Sequence, residues 1–391
     1  EIWIRQWQQA QPLQRRFLAV ARRHPLRLAM ADEKVGSVSF GRALVGAVWV
    51  GRRLRAHWSG DDRVGVLLPP CVPAALVHWA ILLAGKVPVH FNYTLDSSTL
   101  AGCVRMAGVR FLISSDRFLE KLRLQPPVPV ISLEQALARP GKLEKFLAAC
   151  MAWTLSGPRL ERRLAGSGAA SRPDKPSSDL ATLIFSSGST GEPKGIMLSH
   201  ANVLANVEQV ARVIDFTARD RLLGVLPFFH SFGFTVGLTL PGVLGLGVVF
   251  HPSPLDTSAL GPLIRRWQVT LLVSTPTFLQ LYLRAIEPAD LRSIRLVITG
   301  AEKLPARLAS AFEARFGLRP LEGYGCTECG PVVSVNIPDF EQDGFRQKGH
   351  KPGSVGRALP GVAVRVLDPV HGQPLPPGVS GLLCVRGPNV M

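Results

Sequence analysis

The stretch that decides the fold runs from Ser186 to Gly195 and reads Ser-Ser-Gly-Ser-Thr-Gly-Glu-Pro-Lys-Gly. It follows an apolar run from Leu180 to Phe185, which predicts a buried strand, and it leads into a second strand-like run from Gly195 to Ser199. Glycines and small hydroxyl residues let successive backbone N–H groups form a concavity that binds an anion. The pattern therefore predicts a hairpin loop that holds a phosphate chain.

The loop differs from the ordinary phosphate loop, which has the form G-x-x-x-x-G-K-[ST] and runs straight into a helix. Here Pro193 precedes Lys194, and a strand-like run follows. A flexible Ser/Gly linker is the plain alternative, since composition alone is a weak signal. Such a linker would need neither the Pro-Lys-Gly ending nor the flanking strands, so we favour the hairpin.

Outward from this loop, predicted strands alternate with predicted helices. Helices are predicted at 43–55, 72–84 and 98–107, and strands at 63–68, 86–91, 111–114, 271–274, 295–299 and 321–324. This alternation implies parallel pairing, so we expect an α/β fold with two doubly wound, mixed or parallel sheets. We divide the chain into a first α/β subdomain (1–178), a second that carries the phosphate loop (179–345), and the start of a small β-barrel (346–391).

The segment from Leu222 to Leu255 contains no charged residue, so a transmembrane helix has to be considered. Pro227, Pro241 and several glycines argue against one continuous span. We instead predict buried strands at 222–226 and 243–250 around an apolar helix.

The composition describes a globular, basic protein. Its 391 residues are 47% hydrophobic, enough for a large core, and the formal net charge is +17. Such a charge favours polyanionic partners; with no nucleic-acid motif, we expect no nucleic acid and rank a membrane surface and an acidic protein higher. Cys326 and Cys329 form a C-x-x-C without a second pair, so we expect reduced thiols, no zinc or redox site, and a cytoplasmic location.

Two basic segments carry apolar groups. One is 2–24; the other is 141–163, whose apolar centre at 146–155 is too short to span a bilayer but suits an interfacial helix. One interpretation is that they lie on an anionic membrane, and the sequence leaves it open. The alternative is that they are basic helices that face water or dock on their own domain.

Three motifs in order carry a resemblance: Ser186 to Gly195, Tyr324 to Glu328 (Tyr-Gly-Cys-Thr-Glu), and Gly353 to Gly361. Together they resemble the adenylate-forming superfamily of acyl-CoA synthetases, luciferases and adenylation domains of peptide synthetases. The resemblance implies that ATP is a substrate. The residues expected to bind it are Ser186, Ser187, Gly188, Ser189, Thr190 and Gly191 at the phosphates, and Gly300, Ala301, Glu302, Tyr324 and Gly325 around the adenine.

Four residues are the catalytic candidates. Lys194 is expected to hold the β- and γ-phosphates, and Thr327 to donate to the α-phosphate. A carboxylate near phosphates is repulsive unless it binds Mg²⁺, so Glu328 is the predicted metal ligand. His230 alone would more often be a core histidine, but by resemblance it lines the tunnel where the carboxylate or thiol arrives.

More specific motifs, including Pro227 to Gly237 and Glu322 to Cys329, resemble the long-chain acyl-[acyl carrier protein] synthetase domain. This resemblance extends over Leu13 to Met391. It implies that a fatty acid is converted to an acyl-adenylate with release of pyrophosphate. The acyl group then passes to a thiol of acyl carrier protein, or alternatively of CoA. Such domains belong to phospholipid metabolism at the inner membrane, so we expect a peripheral protein on its cytoplasmic face.

One departure from the superfamily concerns its ribose-binding Asp and later catalytic Lys, which belong downstream of Met391. We therefore expect a fragment without the small C-terminal domain, weakly active or inactive alone. The truncation also leaves open a different class, a non-catalytic nucleotide- or membrane-binding module.

Overall fold

The computed structural model describes residues 11–58, 60–137, 141–165, 179–187 and 193–391. The α-helices are α1 (Leu13–Arg23), α2 (Phe40–Leu54), α3 (Val72–Leu83), α4 (Ser97–Ala107), α5 (Asp116–Leu122), α6 (Leu133–Ala136), α7 (Lys142–Thr154), α8 (Gly157–Ala165), α9 (His200–Ala211), α10 (Leu240–Leu244), α11 (Thr257–Trp267), α12 (Pro276–Ala285) and α13 (Ala306–Phe316). A π-helix spans Gly233–Thr239, and 3₁₀ turns span Pro288–Leu291 and Thr327–Cys329.

The strands alternate with these helices as the sequence predicts. They are β1 (Leu28–Asp32), β2 (Gly36–Ser39), β3 (Arg63–Val66), β4 (Val87–His90), β5 (Leu112–Ser114), β6 (Val130–Ser132), β7 (Leu180–Ser187), β8 (Pro193–Ser199), β9 (Arg221–Gly224), β10 (Gly247–Phe250), β11 (Leu271–Ser274), β12 (Leu296–Thr299), β13 (Pro320–Gly325), β14 (Val332–Val335), β15 (Phe340–Gln342), β16 (Phe345–Gln347), β17 (Arg357–Ala358), β18 (Ala363–Leu367) and β19 (Leu382–Arg386).

The larger sheet has nine strands in the order β17-β14-β13-β12-β11-β9-β10-β1-β2. Its six central strands, from β13 to β1, are parallel, and the outer pairings are antiparallel. The strands β10 and β11 are buried throughout, as expected for short apolar runs covered on both faces. The predicted doubly wound α/β fold is confirmed.

The smaller sheet is parallel, in the order β4-β3-β5-β6, and the β7–β8 hairpin lies against β4. The Thr182 hydroxyl in β7 donates to the Pro88 carbonyl in β4 at 2.8 Å. In the hairpin Ser186 stands opposite Lys194. The two predicted arms are therefore strands, while the tip between them lies outside the described residues.

The uncharged segment between β9 and β10 folds back on itself. The π-helix and α10 lie between the two strands, and the left-handed Gly245 (φ 83°) ends α10. The strand predicted from Val243 is wrong over its first residues, because Pro241 at the start of α10 favours helix there. Within the described ranges, no helix is long and apolar enough to cross a membrane.

The chain does not keep its two large sheets in separate segments. The strands β1 and β2, from the first predicted subdomain, complete the nine-stranded sheet beside β10. Past residue 346, β18 and β19 form an antiparallel hairpin where the start of a barrel is predicted. The three-part division of the chain stays a prediction.

Candidate active site

A cavity of about 740 Å³ lies at the carboxyl ends of β9, β11, β12 and β13. Because parallel strands end at the same edge, the segments that follow them meet there. The sequence-predicted residues that line the cavity are His230, Gly300, Ala301, Glu302, Tyr324, Gly325 and Thr327. Its size suits a small-molecule ligand rather than a macromolecule.

The segment after β12 holds an unusual backbone. Ala301 has a φ of 69°, in the left-handed region that non-glycine residues seldom occupy. The Glu302 carboxylate accepts hydrogen bonds from the backbone N–H (3.2 Å) and hydroxyl (2.6 Å) of Thr277. The Glu302 side chain therefore ties this segment to the start of α12. Any adenine contact predicted for this stretch would come from its backbone.

The end of β13, the strand next to β12, also lines the cavity. The Tyr324 side chain is 38% exposed, and partial burial, together with the nearby Cys326, raises its pKa. A side chain at Gly325 would collide with the Pro331 carbonyl, so only glycine allows this close return of the chain. This arrangement leaves one ring available for a planar ligand beside the segment 300–302.

Thr327 lies in the 3₁₀ turn after β13, and its hydroxyl is 3.3 Å from the hydroxyl of Ser231. Ser231 belongs to the segment that follows β9, so this contact joins two sides of the cavity. The backbone N–H of Cys326 donates to Pro331 at 3.1 Å, and the Thr235 hydroxyl donates to Gly330 at 2.7 Å. These bonds hold the turn in place.

His230 is exposed where it lines the cavity, and its ring lies against Phe229 with centroids 4.4 Å apart. Surrounding protein atoms desolvate the ring, which lowers the pKa of His230. Its imidazole is therefore neutral at pH 7, with one N–H to donate and one lone pair to accept. It can orient a polar ligand group without adding positive charge.

Glu328 follows Thr327 and is half-buried, beside the thiol of Cys326. Its side chain does not line the cavity. Its carbonyl accepts a hydrogen bond from the backbone N–H of Met391 at 2.9 Å. Glu328 is thus the neighbour in sequence of the cavity-lining Thr327, on a turn that is bonded to the C-terminal segment.

Three asparagines connect that turn, β14, α9 and the C-terminal segment, and none of them is a candidate from the sequence. Asn389 donates to the Cys329 carbonyl at 2.7 Å. Asn206, in α9, exchanges two hydrogen bonds with the backbone of Val332, at 2.7 and 3.0 Å. Asn202 donates to the carbonyls of Pro388 and Val390 at 3.0 and 2.8 Å. The helix α9, the C-terminal segment and the turn thus form one hydrogen-bonded unit.

The phosphate-loop candidates lie to one side of the cavity. Lys194 is exposed on β8, which contacts the turn Thr327–Cys329, and Ser186 faces it across the hairpin. Ser187 is described only as part of β7. Gly188, Ser189, Thr190 and Gly191 lie outside the described residues. The structure brings Lys194 near the turn but not into the cavity wall.

The cysteines of the C-x-x-C are free thiols. The Cys326 thiol lines the cavity and accepts a hydrogen bond from Cys329. That bond lowers the pKa of Cys326 and raises the pKa of Cys329. Within the described ranges, no three His, Cys, Asp or Glu side chains come together as a metal site.

Sequence reasoning did not select Ser231, although it lies in the Pro227–Gly233 motif. Its neighbour His230 is a candidate because its side chain is ionisable. A single serine has no sequence feature that distinguishes it from other surface or loop serines. Asn206 and Asn389 give no local signal, because their partners lie 126 and 60 residues away.

The family described as AMP-binding enzyme matches residues 17–391 of this chain. A long-chain-fatty-acid–CoA ligase of Bacillus subtilis is 28% identical over 365 residues, covering 84% of this chain and 61% of the relative. The 4-coumarate–CoA ligase 2 of Oryza sativa is 30% identical over 354 residues, covering 84% and 58%. The chain thus spans about three fifths of the length of these relatives.

Solved structures share the fold. The MatB protein of Rhodopseudomonas palustris, bound to ATP, is 27% identical with a TM-score of 0.74, covering 96% of this chain and 71% of that one. The O-succinylbenzoate CoA synthetase (MenE) of Bacillus subtilis, in complex with ATP and magnesium, is 23% identical with a TM-score of 0.77, covering 97% and 72%. The second likeness concerns the fold alone.

Proposed function

The chain belongs to the AMP-binding enzyme family, and from that premise we propose that it uses ATP to activate a long-chain fatty acid and passes the acyl group to a thiol. The observation that carries the proposal is the cavity at the carboxyl edge of the nine-stranded sheet. It unites the segment 300–302, Tyr324, Thr327 and His230 with apolar side chains. Polar groups for a nucleotide and aromatic side chains for an acyl chain suit these two substrates.

Two steps make up the proposed reaction. A fatty-acid carboxylate oxygen attacks the α-phosphorus of ATP, and the bond from that phosphorus to the bridging oxygen breaks, so pyrophosphate leaves. A thiol sulfur then attacks the acyl carbonyl, the bond to the phosphate oxygen breaks, AMP leaves, and the thiol proton passes to solvent. Both steps gain mainly from positioning and from stabilising charge.

The residues of the cavity take roles that match their positions. The Thr327 hydroxyl, oriented by Ser231 at 3.3 Å, donates to the α-phosphate. The Tyr324 ring and the backbone of 300–302 hold the adenine. The neutral His230 orients the carboxylate in the first step and the thiol in the second. Lys194 and the Ser186–Gly191 loop hold the remaining phosphates.

Mg²⁺ fits this arrangement as an ion shared with phosphates. Mg²⁺ prefers oxygen ligands and is commonly held by one or two carboxylates plus substrate phosphates. Glu328, next to the cavity-lining Thr327, offers one such carboxylate, and no all-protein metal cage is found within the described ranges. When bound, the ion would neutralise phosphate charge.

The aromatic lining of the cavity supports an acyl substrate. Tyr93 and Phe229 pack edge to face at 4.9 Å, and Phe232, near Gly300, and Phe278 also line the cavity. Burial raises the pKa of Tyr93, so its hydroxyl stays protonated and neutral at pH 7. A charged or sugar-like acid would lose solvation there, whereas a hydrocarbon chain would gain.

For the acceptor we propose acyl carrier protein, with CoA as the alternative. The motifs resemble those of acyl carrier protein synthetases, and the net charge of +17 favours an acidic macromolecule as the partner. The named relatives are CoA ligases, which supports the alternative. We also propose that the protein works in the cytoplasm as a peripheral protein on the inner membrane, in phospholipid metabolism.

The proposal is tested on the full-length protein by fatty-acid-dependent exchange of labelled pyrophosphate into ATP, over acids of increasing chain length with Mg²⁺. We expect exchange that requires both the acid and Mg²⁺ and rises toward long chains. Calorimetry with a non-hydrolysable acyl-adenylate analogue measures binding without turnover. Absence of both exchange and analogue binding would contradict the proposal.

A further inference from the structure

The helix α7 presents its large apolar side chains to the outside. Leu143 is 69% exposed, Phe146 65%, Leu147 37% and Trp153 42%. We call these four residues the α7 stripe; their spacing places them along one side of the helix. On the opposite side the buried residues are only Ala148 and Ala152. This is the reverse of a helix that packs its apolar side on its own core.

The helix is firmly held in this orientation. The Arg22 guanidinium donates to the carbonyls of Ala152 and Leu155, both at 2.6 Å, at its C-terminal end. Near its N-terminal end, Glu144 pairs with Arg53 at 2.8 Å and accepts from the backbone of Gly141. The exposure of the stripe is therefore a fixed property of the surface and not the result of a loosely attached helix.

Beside the stripe, a groove of about 880 Å³ lies between the end of α2, α7 and α8. Five of its eight lining residues are arginines, and the other three are Leu147, Met151 and Leu155. We call Arg52, Arg55, Arg159, Arg162 and Arg163 the arginine groove. No carboxylate lines it in the described part of the chain. Clustered guanidinium groups repel one another, so the groove favours an anion.

The two features are continuous, because Leu147 belongs to both. An anion-binding groove joined to a ridge of Leu, Phe and Trp has the chemistry of an amphiphile surface: phosphate on one side and hydrocarbon on the other. Exposed apolar and aromatic side chains next to Lys142 and Lys145 match a helix that lies in a membrane interface. An acidic protein would account for the arginines but would leave much of the stripe in water.

We propose that this face docks the protein on an anionic phospholipid bilayer, with the α7 stripe among the headgroups and the arginine groove on their phosphates. The inference deepens the peripheral location proposed above and rests on that part of the proposal alone. It adds the surface that makes the contact. Through this contact the protein would meet long-chain fatty acids where they partition.

The test uses the whole chain and vesicles of phosphatidylglycerol mixed with phosphatidylcholine, without ATP or fatty acid. We expect binding to these vesicles and little binding to pure phosphatidylcholine. Replacing Arg159, Arg162 and Arg163 together by Gln should weaken binding on the order of 100-fold at low salt. The control replaces three exposed arginines elsewhere, Arg117, Arg284 and Arg292, by Gln, which removes the same charge and should change binding less than about threefold.

The stripe is tested separately. Leu143→Ser with Phe146→Ser should weaken vesicle binding at least about tenfold, because two apolar insertions are lost. Phe345→Ser with Val370→Ser, at exposed sites in other elements, is the control. Brominated lipid should quench the tryptophan fluorescence of the wild type more than that of Trp153→Phe, which keeps the other six tryptophans.

Several outcomes would overturn the inference. One is vesicle binding that ignores both sets of changes. Another is binding of soluble acyl carrier protein that is lost in the Arg159, Arg162 and Arg163 variant while vesicle binding is not; this would assign the groove to an acidic protein. A dimer without vesicles that is lost in the Leu143→Ser, Phe146→Ser variant would assign the stripe to a second copy. Pyrophosphate exchange without vesicles is measured in parallel, so that a failure of the proposed chemistry is recognised separately.

Discussion

The hydroxyls of Ser231 and Thr327 lie 3.3 Å apart and join the segment after β9 to the turn after β13. The two residues are separated by 96 positions in the chain. Because Thr327 is the proposed donor to the α-phosphate, Ser231 is in a position to fix the direction of that donor.

The first prediction follows from this pair. Thr327→Val should lower kcat/KM for pyrophosphate exchange roughly 100-fold, as when a donor to developing charge is removed. Ser231→Ala should cost only about fivefold, the effect of one net hydrogen bond. The double variant should match Thr327→Val, because Ser231 acts through Thr327. A Ser231→Ala loss as large as that of Thr327→Val, or additive losses, would contradict this division.

The second prediction concerns Glu328 and Lys194. Glu328→Gln should lose ~100-fold in exchange and need more Mg²⁺ for half-maximal rate, because charge compensation at the phosphates is removed. Lys194→Ala should be milder, since a flexible lysine shares its phosphates with other donors. Exposed Glu341→Gln is the control. Full exchange activity in Glu328→Gln would rule out the metal role.

The third prediction concerns a buried histidine pair. His78 Nδ1 and His90 Nε2 are 3.2 Å apart, and the other ring nitrogen of each has no partner among the described residues. Burial lowers the pKa of both, that of His90 from 6.5 to about 3. As the pH falls below 6.5, the unfolded chain therefore binds protons that the folded protein does not.

The free energy of unfolding should accordingly decrease as the pH falls below about 6.5, because each histidine adds up to about one proton to the excess bound by the unfolded chain. In His90→Asn the slope should be smaller by about one such contribution. Urea titrations at several pH values measure it, with exposed His57→Asn as the control. Equal slopes in wild type and His90→Asn would show that the pair does not control acid stability.

The fourth prediction concerns the unit that holds the Thr327–Cys329 turn. Asn389→Ala leaves the Cys329 carbonyl without its 2.7 Å donor and should destabilise the protein by about 1–3 kcal/mol. It should also lower exchange activity, because the turn carries Thr327 and Glu328. Gln342→Ala, at an exposed site, should do neither. Unchanged activity together with lost stability would mean that the turn keeps its position without Asn389.

The fifth prediction concerns the acceptor. An acidic carrier protein gains from long-range attraction to a protein of net charge +17, whereas small CoA gains less. Carrier protein should therefore exceed CoA in kcat/KM at low salt, and the advantage should shrink toward ~0.5 M salt, where the Debye length is a few Å. The assay measures thioester formation and therefore needs a protein that catalyses both the adenylation and the acyl transfer. Equal use of CoA at low salt would favour the CoA ligase.

The sequence by itself determined the fold class and the two arms of the hairpin. Short apolar runs such as Leu271–Ser274, which alternate with predicted helices, specify buried parallel strands. The spacing of apolar residues and the residues that form turns are local properties of the chain, so the sequence alone shows them. The candidates in 300–302 and 324–328 follow the predicted strands 295–299 and 321–324, and strands of parallel direction must end at a common edge.

Only the tertiary structure decided which side chains meet. The Ser231–Thr327 contact, the use of Glu302 to hold Thr277, and the asparagine bonds around Cys329 all join residues that are distant in the sequence. The outward orientation of the α7 stripe has the same origin. Small alanines let α7 approach the core, and bonds from Arg22 and Arg53 fix its rotation. Contacts of this kind depend on how helices and strands pack together. The residues that neighbour each partner in the sequence therefore do not reveal them.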